Sequence, residues 1–320
     1  MPAATFLHGR RTPWSAAPTE LRAWVAQQLG GEIVDASDRT GGMSVGLATV
    51  VRTATRSAFV KALDGDHNPV GAQNCHHEAR MAKDLPVLAE IPALIAAGDI
   101  PGTAWTANVF EAADGRTPDH PWTGSSFGRV LDAWHRLTPK LHGVEWPHAL
   151  TAPHAFFDRW QQVAGDTEDP WHELAQSWAT RLESAMSRIG GDPEHPAILA
   201  HIDLRADNIL LGTTEPGVWF IDWAHPALAA PWLDPAILFA DVIASGADVH
   251  DGGEVDATAV WRAHPATERY DIELMQATVA ALAFATHVGA NRPPSPLFPH
   301  QRGWERAMAD GLAPFIARLR

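Results

Sequence analysis

His201-Ile202-Asp203-Leu204-Arg205-Ala206-Asp207-Asn208-Ile209-Leu210, with Phe220-Ile221-Asp222-Trp223 a short loop later, decides the fold of this 320-residue chain. An Asp stands five residues before an Asn, apolar runs flank both, and a second Asp emerges from a later apolar run. Three oxygen-bearing side chains on short turns can converge on one or two Mg²⁺ ions and a hydroxyl nucleophile. Phosphoryl transfer needs that arrangement, because its catalysis is mostly positioning and charge neutralisation.

Asp203 is the candidate general base. A hydroxyl is a poor nucleophile, and a placed carboxylate that orients it and takes its proton contributes about 10²–10⁴-fold. An Asp that merely caps a turn is the bland alternative, and Asn208 and Asp222 at these spacings argue against it. Asn208 and Asp222 are the metal candidates, since Mg²⁺ takes hard oxygen ligands and prefers one or two protein groups plus phosphates and water. His201 reads as a structural histidine bonded to the turn, with metal ligation as its alternative. Arg205 is a candidate for phosphate or substrate contact; a salt bridge to a neighbouring acid such as Asp207 is the competing reading.

Upstream, Lys61 lies in the apolar run Ala58-Phe59-Val60-Lys61-Ala62-Leu63. An unpaired buried ammonium is costly, so it must meet something anionic. Nucleotide phosphates and Glu78, on the next helix, are the partners to expect. An edge-strand lysine in solvent is the alternative, and Asp84 and Glu90 compete with Glu78. The turn Thr40-Gly41-Gly42-Met43-Ser44-Val45-Gly46 could cover phosphates with backbone N–H groups, Ser44 adding a hydroxyl. An ordinary hairpin explains that turn equally well.

Periodicity predicts helices over 20–29 and 70–85, and strands over 32–36, 47–53, 57–63, 93–97 and 105–111. That order suggests an antiparallel sheet with one helix against it. Beyond Asp114-Gly115 the pattern turns helical: 127–137, 154–163, 171–189, 235–244, 257–263, 272–288 and 302–319. Strands at 209–211 and 218–221, joined by a Gly- and Pro-containing loop, interrupt it as a hairpin. The boundary falls near 112–116, giving residues 1–113 and 114–320 as two domains.

The formal net charge of -14 disfavours nucleic acid, whose affinity rests on Lys and Arg. It suits a cationic small acceptor, although solubility alone also explains it. Asp241, Asp248, Asp251, Glu254 and Asp256 suggest an acidic helical surface that could attract an amine. The single cysteine, Cys75, fits a reducing cytoplasm. The most apolar stretch, around 277–285, is shorter than the roughly 20 residues that span a bilayer, and no leader pattern is visible. Neither a membrane nor a nucleic-acid partner is expected, and the chain reads as a monomer or homodimer. Of the 14 Trp residues, Trp122, Trp146 and Trp232 are pocket-lining candidates.

At these residues the chain resembles the aminoglycoside phosphotransferase and choline kinase family, relatives of the eukaryotic-type protein kinases. His201, Asp203 and Asn208 stand in the order of the family's catalytic-loop pattern. Ile221-Asp222-Trp223 looks like its metal-binding segment, and Phe59-Val60-Lys61 like its phosphate-contacting lysine strand. Val109-Phe110-Glu111 would be the hinge whose backbone meets the purine, and Trp232-Leu233-Asp234 a support for the catalytic loop. Family members often have Gly where Ile202 stands, and His or Pro where Arg205 and Ala206 stand. The resemblance covers roughly residues 31–240.

It implies an α+β, two-lobed protein-kinase-like fold: a small N-terminal antiparallel sheet lobe and a larger, mainly helical C-terminal lobe. It also implies a small-molecule kinase that uses ATP or GTP with Mg²⁺. An amine-bearing acceptor is expected: an aminoglycoside, another antibiotic or an amino sugar, with a role in resistance. A choline- or amino-alcohol-type metabolic kinase, a nucleotide-binding pseudoenzyme that regulates a partner, and a metal-dependent hydrolase using His201 and Asp203 are the rivals. A protein kinase fits less well, for want of D-F-G and A-P-E segments.

Overall fold

The computed structural model describes residues 11–39, 45–146 and 154–320. Helix α1 (Thr19–Leu29) is followed by β1 (Asp35–Asp38), β2 (Leu47–Arg52) and β3 (Ser57–Asp64), then α2 (Pro69–Asp84), β4 (Leu94–Asp99) and β5 (Trp105–Glu111). The five strands form one antiparallel sheet in the order β1-β2-β3-β5-β4. Successive strand residues face opposite sides. Ala58, Val60 and Ala62 of β3 therefore join Val109 and Ala107 of β5 in an apolar core with Leu21, Val25 and Leu29 of α1. Lys61, out of phase with them, emerges on the other face, where α2 lies.

A second core fills the rest of the molecule. Its helices are α3 (Gly124–Leu141), α4 (His154–Phe157), α5 (Trp160–Gly165) and α6 (His172–Met186). Four short strands follow: β6 (Ile198–Ala200), β7 (Ile209–Leu211), β8 (Val218–Phe220) and β9 (Ala227–Ala229). The chain ends in α7 (Leu233–Ala244), α8 (Ala257–Ala263), α9 (Ile272–Ala290) and α10 (Gln301–Arg318). The β7–β8 hairpin matches the sequence reading, and Arg129 fastens its loop by donating to the carbonyls of Gly212 and Gly217. The β6–β9 pair was not read from the sequence; three-residue strands carry too little periodicity to register. The helix expected over 154–163 is two helices, α4 and α5.

Among the described residues, α9 is long and apolar enough to cross a bilayer, and longer than the apolar stretch read from the sequence. It is buried along nearly its whole length, with α6, α7 and α10 against it, which accounts for its apolar composition. Two glycines permit that packing. A Cβ at Gly289 would meet the buried Glu305 carboxylate at 2.4 Å, and one at Gly311 would meet the Ala244 carbonyl oxygen at 2.5 Å.

Candidate active site

The lysine face of the sheet is built by α2. Asn68 caps that helix by accepting from Gly71 N–H at 2.8 Å, and Pro69 fills its first position. Gly71, Cys75 and Glu78 then fall on one buried face. Lys61 Nζ donates to Glu78 Oε1 at 3.1 Å and to Asp222 Oδ1 at 3.2 Å, so one ammonium joins the sheet, α2 and the segment after β8. Asn108, paired with Lys61 across β3 and β5, donates its amide to Cys75 O at 2.9 Å and to Glu78 Oε2 at 3.2 Å. Sequence reading missed Asn108; the signal was a polar residue alternating inside an apolar strand.

The Glu78 side chain is 6% exposed and that of Asp222 43%. Burial pushes the Glu78 carboxyl up to about 7, against the downward pull of Lys61. Partial desolvation also pushes Asp222 upward, but the Lys61 ammonium prevails and holds it at about 2. Lys61 itself is raised despite its burial, because both carboxylates favour its charged form.

The catalytic-loop candidates hang from α7. Asp234, in that helix's first turn, accepts from the N–H groups of His201 at 2.7 Å and Ile202 at 2.8 Å. Asp241, two turns on along the same face, accepts from Ala206 N–H at 3.0 Å and Trp122 Nε1 at 2.9 Å. Both ends of the turn are thus gripped from beneath. His201 is fully buried: its Nδ1 accepts from Asp203 N–H at 3.3 Å and its Nε2 donates to Ile221 O at 2.8 Å. With both nitrogens engaged, His201 has no lone pair for a metal, which removes the hydrolase built on it.

The turn sets Asp203 with 46% of its side chain exposed. Asn208 Nδ2 donates to Asp203 O at 2.9 Å and Oδ2 at 3.0 Å. Asn208 and Ile221 lie just beyond the open end of the β7–β8 hairpin, joined by Ile221 N–H to Asn208 O at 2.9 Å. Asp222 follows with φ +58°, a left-handed conformation that Asp tolerates better than most residues. The hairpin therefore delivers Asn208 and Asp222 from adjacent strand ends. With its Nδ2 committed to Asp203, Asn208 offers Oδ1, and Asp222 offers a carboxylate with a depressed pKa. Two hard oxygen donors of this kind fit Mg²⁺.

Arg205 lies at ion-pair distance from both acids, Nε 3.0 Å from Asp203 Oδ1 and Nη2 3.0 Å from Asp207 Oδ2. Both sequence readings of Arg205 are therefore compatible with its place. Val109 and Glu111 are not brought to the cleft as free backbone. Val109 is fully buried between β3 and β4, and Glu111 N–H is spent on Ala93 O at 2.9 Å. The chain leaves the sheet only at Ala112. Ser44 lies outside the described residues.

Of the acidic surface expected after residue 240, only part is there: Asp251, Glu254 and Asp256 are exposed. Asp241 and Asp248 are buried; Asp248 accepts from His250 and Ala257 N–H, and Asp256 caps α8 through Ala259 N–H. Glu254 accepts from Gly124 N–H at 2.6 Å, and Asp251 lies 3.6 Å from Arg318. The two buried acids serve the fold, and the three exposed ones are also partly engaged within it, which charge counting along a sequence does not reveal. Trp122 and Trp232 are likewise core residues, and Trp146 packs against the same core.

The family model described as the phosphotransferase enzyme family matches residues 47–294. No curated protein sequence matches the chain. Solved structures share the fold at low identity. A choline/ethanolamine kinase family protein from Mesorhizobium loti is 19% identical over 94% of this chain and 93% of its own, with a TM-score of 0.57. A microcompartment-associated aminopropanol kinase is 16% identical over 92% and 97%, also at 0.57. A GDP complex of an aminoglycoside 2′-phosphotransferase-IIIa mutant is 13% identical over 92% and 95%, at 0.52. The family match runs from β2 past α9 and takes in Lys61, Glu78, Asp203, Asn208 and Asp222, so this chain, a two-lobed kinase-like protein, belongs to the phosphotransferase enzyme family and is a small-molecule phosphotransferase with an alcohol group as acceptor.

Proposed function

We propose that the chain moves the terminal phosphate of ATP or GTP to a hydroxyl of a small amine-bearing acceptor in the cytoplasm. Residues 1–113 form the nucleotide lobe, and residues 114–320 carry the catalytic loop and the acceptor site. The observation that carries this reading is the Lys61 ammonium between Glu78 and Asp222, beside a loop in which Asn208 is bonded to Asp203. Lys61 contacts nucleotide phosphate, with Glu78 fixing its direction. Asn208 and Asp222 hold Mg²⁺, which when bound neutralises charge on the phosphate oxygens. Asp203 orients the acceptor hydroxyl and takes its proton. The purine lies against the exit of β5, beyond Glu111.

The amine on the acceptor is supported by the net charge of -14 and by the amine-bearing compounds named for the structural relatives. The test is a phosphate-transfer screen over aminoglycosides, nucleoside antibiotics, amino sugars and amino alcohols, run with both nucleotides. Transfer to one of these classes is expected. Asp203→Ala should lower that turnover by about 10²–10⁴-fold while Mg-nucleotide binding persists. Unchanged turnover would remove Asp203 as base. Tight nucleotide binding without transfer to any acceptor would favour a nucleotide-binding regulator instead.

A further inference from the structure

Arg205 has a third neighbour besides its two carboxylates. Its guanidinium carbon lies 4.6 Å from the centre of the Trp304 ring, on the first turn of α10. A guanidinium is planar: its N–H donors point outward in the plane and its two faces remain free. Ion pairing with Asp203 and Asp207 at 3.0 Å each and a cation–π contact with an indole are therefore compatible in one guanidinium. The Arg205 side chain is 12% exposed, so it is largely withdrawn from solvent.

We propose that Trp304 is a positioning residue for Asp203 and acts through Arg205. The inference rests on Asp203 being the base. One oxygen of Asp203, Oδ2, accepts a hydrogen bond from Asn208, and the other, Oδ1, lies 3.0 Å from Arg205 Nε in an ion pair that lacks hydrogen-bond geometry. The hydrogen bond to one oxygen and the ion pair at the other together bias the rotation of the carboxylate about its Cβ–Cγ bond, and with it the lone pairs offered to a hydroxyl. Arg205 is itself shared with Asp207, so it needs a further constraint to stay on Asp203. The indole face supplies that constraint, by a cation–π contact and by excluding water from one side. The platform is firm, because α10 is seated on α9 and α7 through the close approaches at Gly289 and Gly311. Lys61, Glu78, Asn108 and Asp222 form a separate hydrogen-bonded set that includes neither Arg205 nor Trp304.

The test is a kinetic cycle among Trp304→Leu, Trp304→Phe, Arg205→Ala and the Trp304→Leu/Arg205→Ala double variant, using an acceptor found in the screen. Trp304→Leu keeps apolar bulk and loses the π face. It should lower kcat by about 10–100-fold, the scale of a small misplacement of a catalytic group. KM for the nucleotide should stay within about twofold, as the nucleotide-side contacts are untouched. Trp304→Phe should recover most of the loss. In the Arg205→Ala background Trp304→Leu should cost nothing further, since the residue it acts through is gone. A merely structural Trp304 would not show that non-additivity. Wild-type kcat in Trp304→Leu, or losses that multiply in the double variant, would overturn the proposal. If the Leu variant does not fold, Trp304→Met takes its place in the cycle. Asp203→Ala separates the two levels: wild-type turnover there defeats the base assignment itself, whereas a dead Asp203→Ala beside an unaffected Trp304→Leu defeats only the role of Trp304.

Discussion

Two cations in this molecule are each held between two carboxylates, and they are held differently. Lys61 takes one carboxylate from α2 and another from the segment after β8, 17 and 161 residues away. Arg205 takes both from its own loop, two residues to either side. The first cluster exists only when sheet, helix and hairpin are in place, and its flexible point charge can be shared with an incoming phosphate. The second is nearly complete within one turn, as two close ion pairs of one guanidinium. The lysine thus reports on assembly of the two lobes, and the arginine on the shape of one loop.

The sharpest way to break this comparison is Lys61→Ala. It should lower kcat/KM for the nucleotide by about 10²–10³-fold, the usual cost of losing a preorganised group at a developing charge. Glu78 would also be left buried without its counter-ion, so a stability loss of about 3–5 kcal/mol is expected. Steady-state kinetics and urea unfolding measure the two. If the loss fell on kcat alone, with nucleotide KM unchanged, Lys61 would be acting like the loop arginine and the distinction would collapse.

A smaller effect tests what lies beneath the loop. Burial pushes Asp234 up to about 6, against the downward pull of the His201 and Ile202 N–H groups that it accepts from. A carboxyl whose folded pKa exceeds its unfolded value of about 4 binds a proton in the native state that the unfolded chain has released. The Asp234 contribution to stability therefore falls as pH rises from about 4 to about 6, by roughly 3 kcal/mol in total. Asp234→Asn does not titrate, so the stability difference between wild type and variant should narrow across that window. A difference independent of pH would show that Asp234 stays ionised, and that the loop rests on a charged support, as the Lys61 cluster does.

The two clusters also differed in legibility. Lys61 stood out because a strand with period 2 turned it away from Val60 and Ala62, and Asp203, Asn208 and Asp222 because their spacing is local. Glu78 was harder, for nothing in the sequence says which of several acids a helix buries. Asp241 was misread as surface for the same reason: burial depends on what covers a residue, and here that cover, Trp122, comes from 119 positions away. Trp304 was unreadable, because its partner lies on a loop about a hundred residues earlier. Sequence reasoning reached the elements and the local constellation, and stopped where distant segments choose their neighbours.

The smallest effect concerns a backbone feature of the same loop. Ile202 has φ +69°, and a β-branched residue there is an outlier that costs on the order of 1–3 kcal/mol. That angle is one that Gly adopts without strain. Ile202 offsets part of the strain by packing against the larger core, and the Asp234 carboxylate holds its N–H in place. Ile202→Gly should therefore change stability little, relief of strain balancing lost burial and added chain entropy. Ile202→Ala loses the burial and keeps the strain. The expected order, Gly above Ala by about 1 kcal/mol in urea unfolding, reverses the order found in ordinary helix and strand positions. If Ala were the more stable of the two, the loop would not need its left-handed turn at Ile202. The support from Asp234 would then be a consequence of the loop's shape, and what distinguishes the loop from the Lys61 cluster would lie in the Arg205 pairing alone.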